Sequence, residues 1–139
     1  MSFYITCAID YPNSRPHIGT AYEKIAADTI VRYKRLMGED VFFLMGLDEH
    51  SQNVYKRAEE QGLEPITFTN QMEDVFRAAW TAVNVDFDDF IRTTQPLHRA
   101  AVKAMVDRVE AAGDLYEGVY KGFYCVSCEA YYGERGLVE

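Results

Sequence analysis

FYITCAIDYPNSRPHIGTAYEKIAADTIVRYKRLMGEDVFFLMG, residues Phe3 to Gly46, is the stretch whose reading decides the fold. Phe3 to Ile9 is a short apolar, β-prone run. It stops at Asp10-Tyr11-Pro12-Asn13-Ser14-Arg15-Pro16, where two prolines and three turn formers rule out a continued strand. From Ile18 apolar side chains recur at Tyr22, Ile25, Ala26, Ile30, Tyr33 and Leu36 or Met37, a 3.6-residue stripe that predicts a long amphipathic helix stopped by Gly38. Asp40 to Gly46 then carries the solid run Val-Phe-Phe-Leu-Met, as in a strand covered on both faces within a parallel sheet. Strand, helix and strand make one βαβ unit.

Downstream, the spacing predicts a second helix from about Ser51 to Gln61 and a third from Pro65 to Val83, with Trp80 as a core anchor. A strand is expected within residues 86–94, and Leu97, Ala101, Val102, Met105, Val109 and Ala112 mark a fourth helix closed by Gly113. Helices alternating with strands imply an α/β class, here a Rossmann-like parallel sheet with helices on both faces. After Gly113 the texture changes to tyrosines interleaved with Gly118, Gly122, Gly133 and Gly136, which predicts short strands and tight turns. We therefore expect a nucleotide-binding domain over residues 1–113 and the start of a small β-rich insertion over 114–139, cut off at Glu139.

Composition narrows the functions open to such a fold. The chain has 139 residues, 48% of them hydrophobic and 26% charged, enough for a core without staples and unlike a disordered tail. Its longest apolar runs are about five residues, against the roughly 18 needed to span a bilayer, and no basic stretch precedes a hydrophobic one at the N-terminus. The expected address is the cytoplasm. Acidic residues number 22 against 14 basic, a formal charge of −8, which argues against binding nucleic acid by blanket phosphate neutralisation. The three cysteines are Cys7, expected in the core, and the pair Cys125 and Cys128, which reads as a metal or redox pair and not as a disulfide framework.

In an open α/β sheet ligands sit beyond the C-terminal ends of the strands, so the loop from Asp10 to Thr20 is the first place to look. The start of the long helix offers unpaired N–H groups and a partial positive charge suited to a phosphate, and Gly19 lets a nucleotide approach the backbone. His17 adds a donor that can stabilise charge growing on a phosphate oxygen. The bland alternative is that His17 and Thr20 only cap the helix.

Pro16-His17-Ile18-Gly19-Thr20 after a strand resembles the HIGH signature of class I aminoacyl-tRNA synthetases, and Ala8-Ile9-Asp10-Tyr11-Pro12-Asn13 before it is similar to the methionyl-tRNA synthetase version. Arg32-Tyr33-Lys34-Arg35, Gly46-Leu47-Asp48-Glu49-His50, Phe90-Ile91-Arg92-Thr93-Thr94 and Tyr124-Cys125-Val126-Ser127-Cys128-Glu129 continue the resemblance in the same order over nearly the whole chain. It implies the N-terminal catalytic part of a methionine–tRNA ligase, which forms methionyl-adenylate from methionine and ATP with Mg2+ and charges tRNA(Met). Carried over residue by residue, it places His17, Gly19 and Thr20 at ATP, with His17 and Thr20 catalytic. Ala8, Ile9 and Tyr11 would line the methionine pocket, and Asp48 would receive the α-ammonium group. Without the resemblance, Asp48 is open to reading as a helix N-cap and His50 as a structural histidine.

Two residues depart from that pattern. Thr20 stands for the usual second histidine, leaving a hydroxyl that can still donate one hydrogen bond. Asp10 stands where many relatives carry proline, bringing a carboxylate that could repel phosphate or help hold Mg2+. Cys125 and Cys128 can form a knuckle presenting two thiolates to Zn2+, but a closed site needs four ligands and no Cys or His follows. A redox dithiol and unliganded thiols remain open alternatives. The family's KMSKS loop and anticodon-binding domain are absent from these residues, so the expectation is a fragment of weak or no turnover. Two other readings stand beside it: a non-catalytic binding module derived from a synthetase, and another nucleotidyltransferase with a HIGH-type helix.

Overall fold

The computed structural model describes residues 2–133. Three parallel strands, β1 (Ser2–Thr6), β2 (Asp40–Leu47) and β3 (Asp89–Arg92), form a sheet in the order β1-β2-β3. The register pairs Ser2 with Asp40 and Thr6 with Leu44, then Leu44 with Asp89 and Leu47 with Arg92. Helix α1 (Ile18–Leu36) makes the first crossover, and α2 (Gln52–Glu60) and α3 (Pro65–Ala82) make the second. Helix α4 (Pro96–Ala111) follows β3, and a separate antiparallel pair, β4 (Phe123–Cys125) and β5 (Ala130–Tyr132), follows that. The α/β class and the parallel sheet are those expected from the sequence.

Local chemistry sets the helix ends. Gly38 at φ 77° takes the left-handed conformation that stops α1, while Glu39 N–H reaches back to the Lys34 carbonyl. Lys34 and Arg35 in the last turn suit the negative end of the helix dipole. Pro65 and Pro96 open α3 and α4, where a missing N–H costs nothing.

Cover over the sheet is unequal. Phe43, Met45 and Leu47 of β2 are buried against Val31 of α1 and Phe76 and Trp80 of α3. The alternate residues look the other way: Phe42 is 46% exposed and stacks on Tyr4 of β1, itself 60% exposed. An apolar run on β2 was expected to be covered on both faces; among the described residues one face is sealed and the other open. Helix α4 forms where the spacing placed it, yet none of its residues is buried. Periodicity predicts an amphipathic helix; it does not supply the surface that the apolar stripe meets. Cys7 and Trp80 are in the core as expected. No helix among the described residues is long and apolar enough to cross a membrane. The readings at Gly136 and Glu139 lie outside the described residues.

Gly46 shows how closely β2 and β3 approach. A Cβ there would lie 2.2 Å from the Ile91 carbonyl oxygen and 2.6 Å from its Cγ2. Backbone cannot yield as a flexible side chain can, so Gly46→Ala is expected to destabilise by about 1–3 kcal/mol, the usual range for overpacking. Urea unfolding measures this, and a loss under about 0.5 kcal/mol, the size of an ordinary surface change, contradicts it.

Candidate active site

Two strand tips meet over the sheet. Beyond Thr6 the first strand's path continues beside β2: Cys7 N–H donates to the Leu44 carbonyl at 3.4 Å and Asp10 N–H to the Gly46 carbonyl at 3.1 Å. The Asp10 carbonyl accepts from Asp48 N–H at 2.8 Å, closing a parallel bridge between Asp10 and Leu47. Parallel pairing thus brings the loop after β1 and the residue after β2 side by side.

From Asp10 the chain turns into α1. His17 is the N-cap, and its Nδ1 accepts from Gly19 N–H at 3.1 Å. Its Nε2 lies 3.4 Å from the Thr20 hydroxyl. A Cβ on Gly19 would sit 2.9 Å from the imidazole Cε1, so a glycine here leaves room for the ring. Capping by His17, the bland expectation, is therefore real; it also fixes the ring at the positive end of a 19-residue helix. Asp10, Tyr11, His17, Thr20 and Phe76 are among the residues lining a cavity of about 230 Å3. Ala8, Ile9 and Tyr11 are all exposed on the connecting loop.

Asp48 lines no part of that cavity and joins it through its bond to Asp10. The helix-cap alternative for Asp48 is excluded, because Ser51 caps α2 by accepting from Asn53 and Val54 N–H. His50 is exposed and so is not a core histidine.

Beneath the loop is a cluster that the sequence reading missed. Lys24, fully buried, donates to the Ala8 carbonyl at 2.8 Å, to Asp10 Oδ1 at 3.0 Å and to Glu23 Oε2 at 2.9 Å. Glu23 Oε1 accepts from Ala8 N–H at 3.0 Å. Burial works against the charge on Lys24, but its bonds to Glu23 and Asp10 hold its pKa above the ordinary value. Desolvation also opposes ionisation of Glu23; its bonds to Lys24 and Ala8 prevail and lower its pKa. At Asp10 burial outweighs Lys24 and the pKa rises. Asp10 Oδ2 is buried with no partner. The carboxylate feared as a phosphate repellent thus has one of its oxygens held from within by the Lys24 ammonium. The signal in the sequence was the extra acid at position 10, which calls for a counter-ion on the facing helix, one turn beyond Thr20.

A second missed network lies after β2. Glu49, with no exposed side-chain surface, pairs with Arg92 at 2.7 Å, and Arg92 also reaches Glu73 at 2.7 Å. Glu49 N–H donates to the Thr93 hydroxyl at 2.8 Å, and Glu49 also accepts from the Thr94 hydroxyl and main-chain N–H. The segment carrying Asp48 is pinned to the tip of β3.

Cys125 ends β4 and Cys128 lies in the turn that leads to β5. Cys128 N–H donates to Cys125 Sγ at 3.4 Å, which lowers the Cys125 pKa. That geometry suits half a zinc knuckle; among the described residues no three His, Cys, Asp or Glu side chains gather around a metal position. Glu129, at φ 51°, ties the turn to α2 by accepting from the Ser51 hydroxyl at 2.7 Å and Asn53 N–H at 2.9 Å.

Residues 3–139 match the family model of class I tRNA synthetases (M). The chain belongs to this family. It is 46% identical over its whole length to the methionine–tRNA ligase of Thermotoga maritima, of which it covers 22%, and 46% identical over 136 residues to that of Fusobacterium nucleatum, covering 21%. The chain thus spans about a fifth of the length of these relatives. Methionyl-tRNA synthetase of Mycobacterium tuberculosis in complex with methionyl-adenylate superposes with a TM-score of 0.91 at 44% identity, over 96% of this chain and 26% of that one. A LeuRS–tRNA–LeuAMS complex from Agrobacterium radiobacter K84, at 22% identity and a TM-score of 0.75 over 82% of this chain and 15% of that one, shares the fold. For a synthetase of this class, the notable local features are Thr20 beside the His17 cap and the buried Asp10–Lys24 pair.

Proposed function

We propose that this chain forms the first part of the catalytic domain of a methionine–tRNA ligase, with residues 1–113 as the nucleotide-binding unit and 114–139 as the start of the insertion. The substrates are methionine, ATP with its Mg2+, and tRNA(Met), and the enzyme works in the cytoplasm. A carboxylate oxygen of methionine attacks the α-phosphorus of ATP, the bond to the bridging oxygen breaks, and pyrophosphate leaves with that electron pair. A terminal hydroxyl of the tRNA then attacks the acyl carbon of methionyl-adenylate, the bond from that carbon to the phosphate oxygen breaks, and AMP leaves with that electron pair as the hydroxyl proton is given up.

His17, Gly19 and Thr20 take the phosphates: the imidazole and hydroxyl donate to oxygens whose charge grows as the new bond forms, next to a helix N-terminus already oriented for anions. Ala8, Ile9 and Tyr11 wall the thioether side chain, which an apolar and aromatic surface holds well. Asp48 accepts from the α-ammonium group in a charge-assisted hydrogen bond. Cys125 and Cys128 contribute two thiolates toward a structural Zn2+, with two further ligands needed from outside the described residues.

The observation that carries this reading is the 2.8 Å bond between Asp48 N–H and the Asp10 carbonyl, which joins the amino-acid end of the site to the loop that runs into the His17 cap. Methionine-dependent exchange of pyrophosphate into ATP, measured on the full-length ligase carrying this sequence, tests it. His17→Ala is expected to lower kcat about 100-fold, the usual size for loss of one donor to a developing oxyanion, with the methionine KM nearly unchanged. Exchange that is indifferent to methionine would point instead to another nucleotidyltransferase.

A further inference from the structure

We propose that Glu23 and Lys24 are positioning residues that clamp the main chain at Ala8 and hold the methionine wall in register with the helix bearing His17. The inference rests on the assignment of Ala8, Ile9 and Tyr11 to that wall.

Among the described residues β1 is hydrogen-bonded to β2 on one side. Cys7 and Asp10 turn their N–H groups toward β2, whereas Ala8 turns both of its main-chain groups to side chains of α1. Ala8 is bound by Glu23 Oε1 on its N–H and by Lys24 Nζ on its carbonyl. The lysine ammonium has three donors, and Ala8, Asp10 and Glu23 take one each, so its orientation is fixed.

Charge is an expensive way to join a helix to a strand. Taking a buried ammonium out of water is costly, and an apolar residue at such a site often serves stability as well or better. What apolar packing cannot do is grip both main-chain groups of a loop residue and fix their direction. Glu23 and Lys24 together do so one turn beyond Thr20, so a single rigid helix carries the phosphate-facing cap and holds the amino-acid wall. Asp10 extends the grip by two residues, to the point where the main chain bonds to Asp48.

The test is a comparison of KM values in the pyrophosphate exchange of the full-length ligase. Lys24→Met is expected to raise the methionine KM at least 10-fold while the ATP KM stays within twofold. Because that variant strands the Asp10 carboxylate, the double variant Asp10→Asn with Lys24→Met removes the orphaned charge; it is expected to recover the thermal midpoint yet keep the methionine defect. Glu23→Gln, at a side chain 46% exposed, leaves the fold intact and is expected to raise the methionine KM about threefold with no change for ATP. A double variant with wild-type methionine KM overturns the proposal, as does a parallel rise in both KM values across the series. Asp48→Ala run alongside separates the two levels: if it leaves methionine use untouched, the functional assignment fails first, whatever the clamp variants do.

Discussion

Asp48→Ala is expected to raise the methionine KM in pyrophosphate exchange by several hundred-fold with the ATP KM almost unaltered. Removing one partner of a desolvated, hydrogen-bonded charge pair costs about 2–5 kcal/mol, and 1.4 kcal/mol is a factor of ten. The size of the effect comes from the ammonium left without its carboxylate, more than from the bond itself. The substitution is clean because the contact joining this position to the ATP side is made by the main-chain N–H of Asp48 to the Asp10 carbonyl, which alanine retains. Ser51 caps α2, so helix stability should not move either. Isothermal titration with a methionyl-adenylate analogue checks the assignment independently of turnover. A change below about fivefold in both measurements would remove Asp48 from the amino-acid site.

Much of this arrangement was legible in the chain because it depends on near neighbours. Gly38 and Gly113 stop helices by their own conformational freedom, and both take positive φ where the pattern required it. His17 and Gly19 announce an anion-binding helix start by residue type and spacing alone. The solid run from Val41 to Met45 announced a strand, but not which face would be sealed. Phe42 and Phe43 are identical as letters, yet one is 46% exposed and the other fully buried, because α1 and α3 pack on one side only among the described residues. The buried ion pairs were illegible for another reason. Lys24 lies 14 residues from Asp10, and Glu49 lies 43 from Arg92, and nothing in charge counts distinguishes these from solvated partners. Only the fold says which charges leave water. Resemblance pointed to the proposed site residues through ordered motifs, and the same motifs are silent on the side chains that hold them.

The pair of Glu49 and Arg92 gives the largest stability effect expected. Arg92→Met should destabilise the protein by about 3–5 kcal/mol, the cost of leaving one member of a buried ion pair without its counter-ion. Glu49 has no exposed side-chain surface and Arg92 only 11%, so solvent screening offers little relief. Lysine is a poor substitute, since Arg92 donates at once to Glu49, Glu73 and Thr69 through a planar fork that a single ammonium cannot reproduce. Replacing both partners, as Glu49→Met with Arg92→Met, should recover most of the loss, because apolar packing replaces a charge pair at near-neutral cost. Urea unfolding of the single and double variants measures the coupling, and a single-variant loss below 1 kcal/mol would show that the pair is effectively solvated. The double variant carries a further consequence for the site. Glu49 lies two residues before the Ser51 cap of α2 and is held from the tip of β3: its carboxylate accepts from both Thr94 groups while its N–H donates to Thr93. Methionine at position 49 keeps the last of these and loses the others. Stability restored without full recovery of the methionine KM would then separate what the network does for the fold from what it does for the direction of Asp48 next to it.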